Sequence, residues 1–314
     1  MSICATASRA LGEPLAGTAA TARTWLLIEQ PGPWGAKALT SSRLDPALGR
    51  RLEEAARDTG VRLGLIRRPG RTPPTPARRV FAAHVVPGQG WVHEASIASD
   101  EAAERLLGLD LKALGAGDAT SFLDPADGLA GTPYTGAPLV CVCANGKRDR
   151  CCALLGRPLA AELHAAGTEG VWEVTHLGGH RFSPTLLVLP YGYAYGRADA
   201  ALARTAQRAA ASGRVHLDGC RGRSVWERPE QAAELAVRAE TGEERAEALT
   251  LHTLPPAEGS AAHLVRVDHG DGRRWTAEVV RTVAEDARPE SCGAAPARTA
   301  GFEVVRLTAQ ASSR

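Results

Sequence analysis

Long hydrophobic runs are missing from this sequence, and so is any strong excess of charge of one sign. No run approaches the roughly 18 apolar residues that a membrane span needs, and residues 1–23 lack the apolar core of a secretory signal. The formal net charge is +2, which is too small to indicate binding to nucleic acid or to a membrane surface. We therefore expect a cytoplasmic protein with neither kind of partner.

Cysteine is also scarce over most of the chain, but four of the seven cysteines lie between positions 141 and 152. An odd and clustered set argues against the disulfide framework of a small secreted protein. In a reducing compartment, clustered cysteines more often bind a metal or carry out redox chemistry. The search for a functional site therefore starts there.

The apolar runs and turn signals predict an α/β fold in which one order of elements occurs twice. That order, strand–helix–strand followed by strand–strand–helix, is the core order of the thioredoxin fold, so we predict tandem thioredoxin-like domains. The first copy is predicted from segments 25–29, 45–59, 61–66, 79–86, 90–93 and 99–107, and the second from segments 139–143, 152–166, 171–175, 185–189, 193–195 and 199–211.

The same patterns give a division of the chain into four parts. Residues 1–111 are predicted to form a degenerate thioredoxin-like domain without a cluster, and 112–137 a linker rich in Gly, Asp and Pro. Residues 138–228 form the second, ferredoxin-type domain. Residues 229–314 are predicted to form a small C-terminal α+β appendage, a helix followed by an antiparallel sheet of the segments 262–267, 275–283 and 302–307. Cys292 within it is expected to be incidental.

The candidate site lies on two loops of the second copy. Cys143 ends a predicted strand and Cys152 begins a predicted helix, whose N–H groups we expect to lower the pKa of the Cys152 thiol. His176 and His180 bracket Leu-Gly-Gly, and the two glycines allow a tight backbone path. Two thiolates and two imidazoles form a four-ligand set suited to iron or zinc.

Two further cysteines lie beside the candidate ligands. Cys141 shares a strand face with Cys143 one repeat further in, so we interpret it as a core residue. Cys151 precedes Cys152 directly, and vicinal side chains diverge at a helix start, so we interpret Cys151 as a bystander.

The spacing Cys-x8-Cys, with Arg148-Asp149 before the second cysteine and His-x-Gly-Gly-His after it, resembles the sucrase/ferredoxin-like family. The resemblance extends from Cys4 to about Glu240. It implies a thioredoxin-like ferredoxin with a [2Fe–2S] cluster. The implied ligands are Cys143, Cys152, His176 and His180, and the implied neighbours of the cluster are Arg148, Asp149, Gly178 and Gly179.

The resemblance also implies a function in electron transfer rather than an enzyme activity of the chain's own. Two neutral imidazoles in place of two thiolates make the cluster less negative, which raises its potential and makes that potential depend on pH. The partner would be an unidentified redox protein. Arg181, beside the histidines, is predicted to steer an acidic surface of that partner.

Two alternatives remain open from the residues alone, and a third is rejected. A Cys2His2 set is also a structural zinc site, although this domain has a core of its own. A thiol–disulfide oxidoreductase would suit the fold, but the chain lacks Cys-x-x-Cys at a helix start. A glycoside hydrolase, suggested by the word sucrase, needs two carboxylates across a cleft, and only Asp149 and Glu173 lie near the site.

Overall fold

Short segments rich in β-branched and aromatic residues form the strands around which the chain folds. The structure is a computed structural model that describes residues 4–70, 77–98, 102–126, 128–256 and 259–310. The strands are β1 (Thr24–Glu29), β2 (Val61–Arg67), β3 (Ala77–His84), β4 (Trp91–Ala98), β5 (Thr132–Pro133), β6 (Leu139–Cys143), β7 (Val171–Val174), β8 (Leu186–Leu189), β9 (Tyr193–Tyr195), β10 (Cys220–Arg223), β11 (Leu249–Leu254), β12 (His263–His269), β13 (Arg274–Val283) and β14 (Ala300–Gln310).

Helices flank these strands. They are α1 (Cys4–Ala10), α2 (Pro46–Ala55), α3 (Ala102–Leu107), α4 (Leu111–Ala116), α5 (Thr120–Leu123), α6 (Arg157–Ala165), α7 (Ala200–Ala211) and α8 (Arg228–Thr241), together with a π-helical turn at Cys152–Gly156 and a 3-10 turn at His180–Phe182. Side-chain caps fix the starts of α2 and α7. The Asp45 carboxylate accepts the N–H groups of Ala47 and Leu48, and that of Asp199 accepts the N–H of Leu202.

A mixed ten-stranded sheet carries the same strand order twice. Within it, β2-β1-β3-β4 and β7-β6-β8-β9 are related, because in each the first pair of strands is parallel and the next two pairings are antiparallel. The two repeats join edge to edge through antiparallel pairing of β2 with β7, where Ile66 faces Val174. The fold is therefore mixed α/β with a repeated strand order, in agreement with the predicted class.

Strand β6 is buried on both faces, which explains its continuous apolar sequence. Val140 and Val142 pack in the core under α6 and α7. Cys141 and Cys143 point to the opposite face, into an apolar cluster shared by both repeats. Cys141 is 0% exposed, and burial raises the pKa of its thiol to about 12, as expected of a core residue.

The C-terminal part has the predicted helix and antiparallel sheet, with one strand more than predicted. Helix α8 packs Ala233 and Val237 against the sheet β11-β12-β13-β14. The missed strand is β11, whose alternating residues are buried and exposed. The segment 112–137 contains most of α4 and all of α5 and β5, and Phe122 within it is buried in the core of the first repeat. The division into domains stays a prediction.

A buried histidine in the first repeat makes the fold sensitive to acid. His84 is 0% exposed, its Nδ1 lies 2.8 Å from the Thr24 hydroxyl, and its Nε2 has no hydrogen-bond partner among the described residues. Burial, and then the charge of Arg23, lower its pKa from 6.5 to about 4. The unfolded chain therefore binds a proton between these two values that the folded chain does not bind.

We predict that the free energy of unfolding falls as the pH drops from 6.5 to 4 and that His84→Asn flattens this slope. Above pH 6.5 the ring is neutral in both states, so it adds no pH dependence there. Urea unfolding of both proteins at several pH values measures the difference. Equal slopes in the two proteins would show that His84 does not titrate in this way.

Candidate metal centre

The two candidate cysteines meet at the end of β6. Cys143 is the last residue of that strand, and Cys152 begins the π-helical turn that continues into α6. Their Sγ atoms lie 3.4 Å apart, and both side chains are almost fully buried. The two ends of the intervening loop therefore lie close together and place the two sulfur atoms side by side.

Local contacts explain why this loop folds back. The Asn145 side chain accepts the N–H of Lys147 and donates to the carbonyl of Gly35, which fixes the turn. Gly156 lies directly against the Cys143 carbonyl, where a Cβ would overlap it. Pro158 cannot donate a backbone hydrogen bond to the turn that precedes it, and that turn is the π-helical one.

The histidine loop depends on its two glycines and on a buried arginine. Gly178 and Gly179 have φ angles of 77° and 70°, in the left-handed region that glycine adopts without strain. Arg221 is 0% exposed and donates from Nη1 to the Gly178 carbonyl at 3.1 Å. A Cβ at Gly179 would overlap the Arg221 guanidinium. Arg221 therefore fixes the backbone between the two histidines.

This backbone brings both imidazoles to the cysteine pair. Nδ1 of His180 lies 3.4 Å from Sγ of Cys152, and the centroids of the His176 and His180 rings are 4.8 Å apart. Nδ1 of His176 is buried and has no hydrogen-bond partner in the described part of the chain. All four predicted ligand residues therefore lie together, and one of them keeps a nitrogen with no other partner.

The thiols of Cys143 and Cys152 differ in pKa. Cys152 and then His176 hydrogen bond to the Cys143 sulfur, and together they lower the pKa of Cys143 well below its usual value. The hydrogen bond to Cys143, together with burial, raises the pKa of Cys152. The sequence predicts a lowered pKa for Cys152, whereas in the structure this hydrogen bond and burial raise it.

Desolvation, and then the neighbouring His176, lower the pKa of His180. At neutral pH this ring is therefore uncharged, which is the form that binds a metal. The carboxylate of Asp149 joins the same region, since its oxygen, Cys152 Sγ and a His180 nitrogen all lie within 4.8 Å of one another. These Cys, Asp and His groups could hold a metal ion.

Asp149 and Arg148 have different surroundings although they are adjacent. Asp149 is 3% exposed and accepts the N–H groups of Cys151 and Cys292, each at 2.8 Å. Arg148 is exposed and lines a cavity of about 250 Å³ together with Lys37, Arg62 and His176. The histidine side of the site therefore opens toward a cleft with several cationic side chains.

Arg181 does not provide the free positive charge that the sequence led us to expect. It donates from Nε to Glu13 at 2.7 Å and lies 3.4 Å from Glu290. Burial opposes the ionisation of Glu13, but hydrogen bonds from Arg288 and Arg181 outweigh burial and lower the pKa of Glu13 to about 2. Arg181 is thus occupied by ion pairs, and the exposed cations beside the site include Lys37 and Arg148.

The structure adds a contact between cysteines that the sequence did not indicate. The Sγ atoms of Cys151, interpreted as a bystander to the candidate ligands, and of Cys292, expected to be incidental, lie 3.0 Å apart. Cys4 lies 3.2 Å from Cys151 and 3.6 Å from Cys292, again measured between Sγ atoms. These three residues come from distant parts of the sequence, so no local spacing reveals that they meet.

The model of the sucrase/ferredoxin-like family matches residues 15–222 of the chain. This chain belongs to the sucrase/ferredoxin-like family. The matched residues include both candidate cysteines, both histidines and Arg221, but they exclude Cys4 and Cys292. No curated protein and no solved structure matches the chain. Among the described residues, the helices are too short or too polar to cross a membrane.

The structure predicts that Gly179→Ala destabilises the protein by about 3 kcal/mol or more, because it adds a left-handed alanine and displaces a buried, hydrogen-bonded arginine. Gly167→Ala is the matched control. Its φ is 71°, but a Cβ there meets nothing within 4 Å, so we expect a loss of only about 1 kcal/mol. Urea unfolding of both variants measures the difference. Equal losses would mean that Arg221 does not constrain the loop.

Proposed function

We propose that this member of the sucrase/ferredoxin-like family is an electron-transfer protein with a [2Fe–2S] cluster. The cluster would be held by Cys143, Cys152, His176 and His180. The convergence of two buried sulfur atoms with two imidazoles at one end of β6 carries this proposal. The resemblance of the Cys-x8-Cys and His-x-Gly-Gly-His motifs to the family supports the identity of the cluster.

The chemistry of these residues suits a cluster of this kind. Iron–sulfur clusters take thiolates and, in Rieske-type centres, imidazoles. Cys143 is already the more acidic thiol of the pair, and His180 is held in its neutral form. The buried Nδ1 of His176 is a nitrogen without a partner among the described residues. Cys143 and His180 thus favour the forms that ligation requires, and Cys152 would release its proton when it binds.

The cluster would supply one-electron redox chemistry. The chain would set its charge, since two neutral imidazoles leave it about two charges less negative than four thiolates would, which raises the potential. His180 presents Nδ1 to Cys152, so its Nε2 remains for a proton. A proton held at this atom would be gained or lost with the electron, and the potential would then depend on pH.

The repeated strand order supports tandem thioredoxin-like domains as the finer description of the fold. Only the second repeat carries the candidate donors, since the sequence has no cysteine between Cys4 and Cys141. The first repeat would therefore be a degenerate copy without a cluster. Its edge strand β2 pairs with β7 directly before the histidine loop, so it would support the site from one side.

The partner in this proposal is a redox protein with an acidic surface, and electron transfer would take place in the cytoplasm. Lys37 and Arg148 are exposed beside His176 at the cleft. They would steer an acidic partner to the histidine side of the cluster, which is the less buried side. This function is that of a carrier and not of an enzyme.

A structural zinc site is the second candidate, and one observation favours it. Two thiolates on a single tetrahedral zinc ion lie about 3.7 Å apart, and a thiolate and an imidazole lie about 3.6 Å apart. The Cys143–Cys152 and Cys152–His180 separations are both 3.4 Å. Against zinc, the second repeat has an extensive core of its own, so it does not need a metal ion in order to fold.

Hydrolysis of a glycoside is not supported by the carboxylates near the site. Glu173 is bound to Arg67 at 2.6 Å, and Asp149 accepts two backbone N–H groups. Both carboxylates are therefore engaged, whereas a glycosidase needs one as an acid and one as a base or nucleophile.

We predict that anaerobically purified protein is red-brown and contains two irons and two acid-labile sulfides per chain. Cys143→Ala and Cys152→Ala should each abolish the visible absorption, because each removes one ligand. Cys141→Ala is the matched control, a buried cysteine on the same strand whose removal should leave the spectrum unchanged. Visible spectroscopy with iron and sulfide analysis checks these outcomes. A colourless protein with one zinc that depends on Cys143 and Cys152 would establish the second candidate instead.

A further inference from the structure

Three cysteines outside the candidate metal centre form a second group of sulfur atoms. Cys4 comes from α1, Cys151 from the loop before the π-helical turn, and Cys292 from the segment between β13 and β14. Their Sγ atoms form a triangle with sides of 3.0, 3.2 and 3.6 Å. We call these residues the three-cysteine cluster. Together with the Asp149 carboxylate, all four possible ligand atoms lie within 4.8 Å of one another.

The cluster is mostly enclosed by protein. Cys4 is 1% exposed and Cys151 is 0% exposed, while Cys292 is only partly buried. An ion would therefore enter from the Cys292 side. The cluster also has its own apolar wall, since Leu155 packs against the buried cysteines.

Asp149 orients two of the three sulfur-bearing residues. One of its oxygens accepts the N–H of Cys151 and the other accepts the N–H of Cys292, each at 2.8 Å. The first of these oxygens also lies 4.0 Å from Sγ of Cys4. Asp149 therefore holds the backbone of two of these residues and faces the thiol of the third.

Buried ion pairs hold the C-terminal segment in this position. Arg288 donates to Glu13 at 2.8 Å, and Thr299 donates to the same carboxylate at 3.2 Å. Arg181, which follows the second histidine directly, binds the other side of Glu13. Contacts on both flanks of Cys292 therefore bring it to the N-terminal segment that carries Cys4.

We propose that the three-cysteine cluster and Asp149 bind a Zn²⁺ ion at a site separate from the candidate metal centre. Cys4, Cys151 and Cys292 would bind as thiolates, each releasing its proton to solvent, and an Asp149 oxygen would be the fourth ligand. Zinc prefers tetrahedral sites rich in thiolates. The ion would tie together three segments that are more than 140 residues apart in sequence.

The geometry favours a metal over a disulfide. A disulfide needs an S–S distance of about 2.05 Å, and it would leave the third thiol of the cluster without a partner. Sulfur atoms on one tetrahedral zinc lie about 3.7 Å apart, and the sides of the triangle, from 3.0 to 3.6 Å, are closer to that value. Three thiols and a carboxylate also complete a tetrahedral set without a further group.

The proposed site does not depend on the proposed function. Cys4 and Cys292 lie outside residues 15–222, which match the family, and neither belongs to the four ligands proposed for the cluster. Cys151 and Cys152 are adjacent, but Sγ of Cys151 lies against Cys4 and Cys292, whereas Sγ of Cys152 lies against Cys143. Zinc content and iron content can therefore be measured as independent quantities.

The test is zinc analysis of the full-length protein after equilibration with Zn²⁺ and removal of unbound metal by gel filtration. We expect one zinc per chain in the wild type, and its loss in both Cys4→Ala and Cys292→Ala with iron and sulfide unchanged. Cys220→Ala is the control, because Cys220 is a buried cysteine in a separate core, and it should keep the zinc. Equal zinc in the wild type and in Cys292→Ala would overturn the proposal.

X-ray absorption at the zinc edge of the wild type tests the same proposal even if a variant fails to fold. We expect three sulfur neighbours at about 2.3 Å and one oxygen neighbour. Two sulfur and two nitrogen neighbours would place the zinc on the candidate metal centre and contradict the site proposed here. A disulfide within the cluster, detected by mass spectrometry after alkylation of the native protein's thiols, would also contradict it.

Discussion

Parallel pairing of β6 with β7 is the constraint on which the candidate metal centre depends. In this register Cys143 lies beside Val174, so both strands end at the same edge of the sheet. The loop after β6 carries the second cysteine, and the loop after β7 carries both histidines. Loops that follow the carboxyl ends of adjacent parallel strands meet in space, and such edges are where α/β proteins build their sites. A shift of one residue would turn the Cys143 side chain to the other face.

The local parts of this arrangement could be predicted from the sequence. The apolar strand β6, the helix that follows Asp199 and the tight backbone path through the two glycines between the histidines each depend on neighbouring residues, and the structure confirms them. The α/β class follows from the same information, because it requires only the order of strands and helices. The meeting of the four candidate ligands was also foreseen, since two loops at one sheet edge are sufficient for it.

Contacts between distant segments could not be predicted in this way. The sequence around Arg181 does not reveal that Glu13 will neutralise it, and nothing near Cys292 indicates Cys4. The unequal acidity of Cys143 and Cys152 was missed for a related reason. It depends on a distance of 3.4 Å between two sulfur atoms, and the spacing of the two cysteines in the sequence does not give that distance.

The seven cysteines fall into three environments with different chemistry. Cys141 and Cys220 are single thiols in apolar cores, where burial raises the pKa of each to about 12. Cys143 and Cys152 form the pair beside the histidines, and the remaining three, Cys4, Cys151 and Cys292, form the three-cysteine cluster. Asp149 lies between the pair and the cluster, within reach of both.

The central claim is that both histidines are ligands of a [2Fe–2S] cluster, and electron–nuclear double resonance of the reduced protein tests it most directly. Protein produced with ¹⁵N-labelled histidine should show two strongly coupled nitrogen nuclei with the ¹⁵N signature. His176→Ala and His180→Ala should each remove one of these couplings or abolish the cluster. A reduced cluster with no strongly coupled histidine nitrogen would contradict the account.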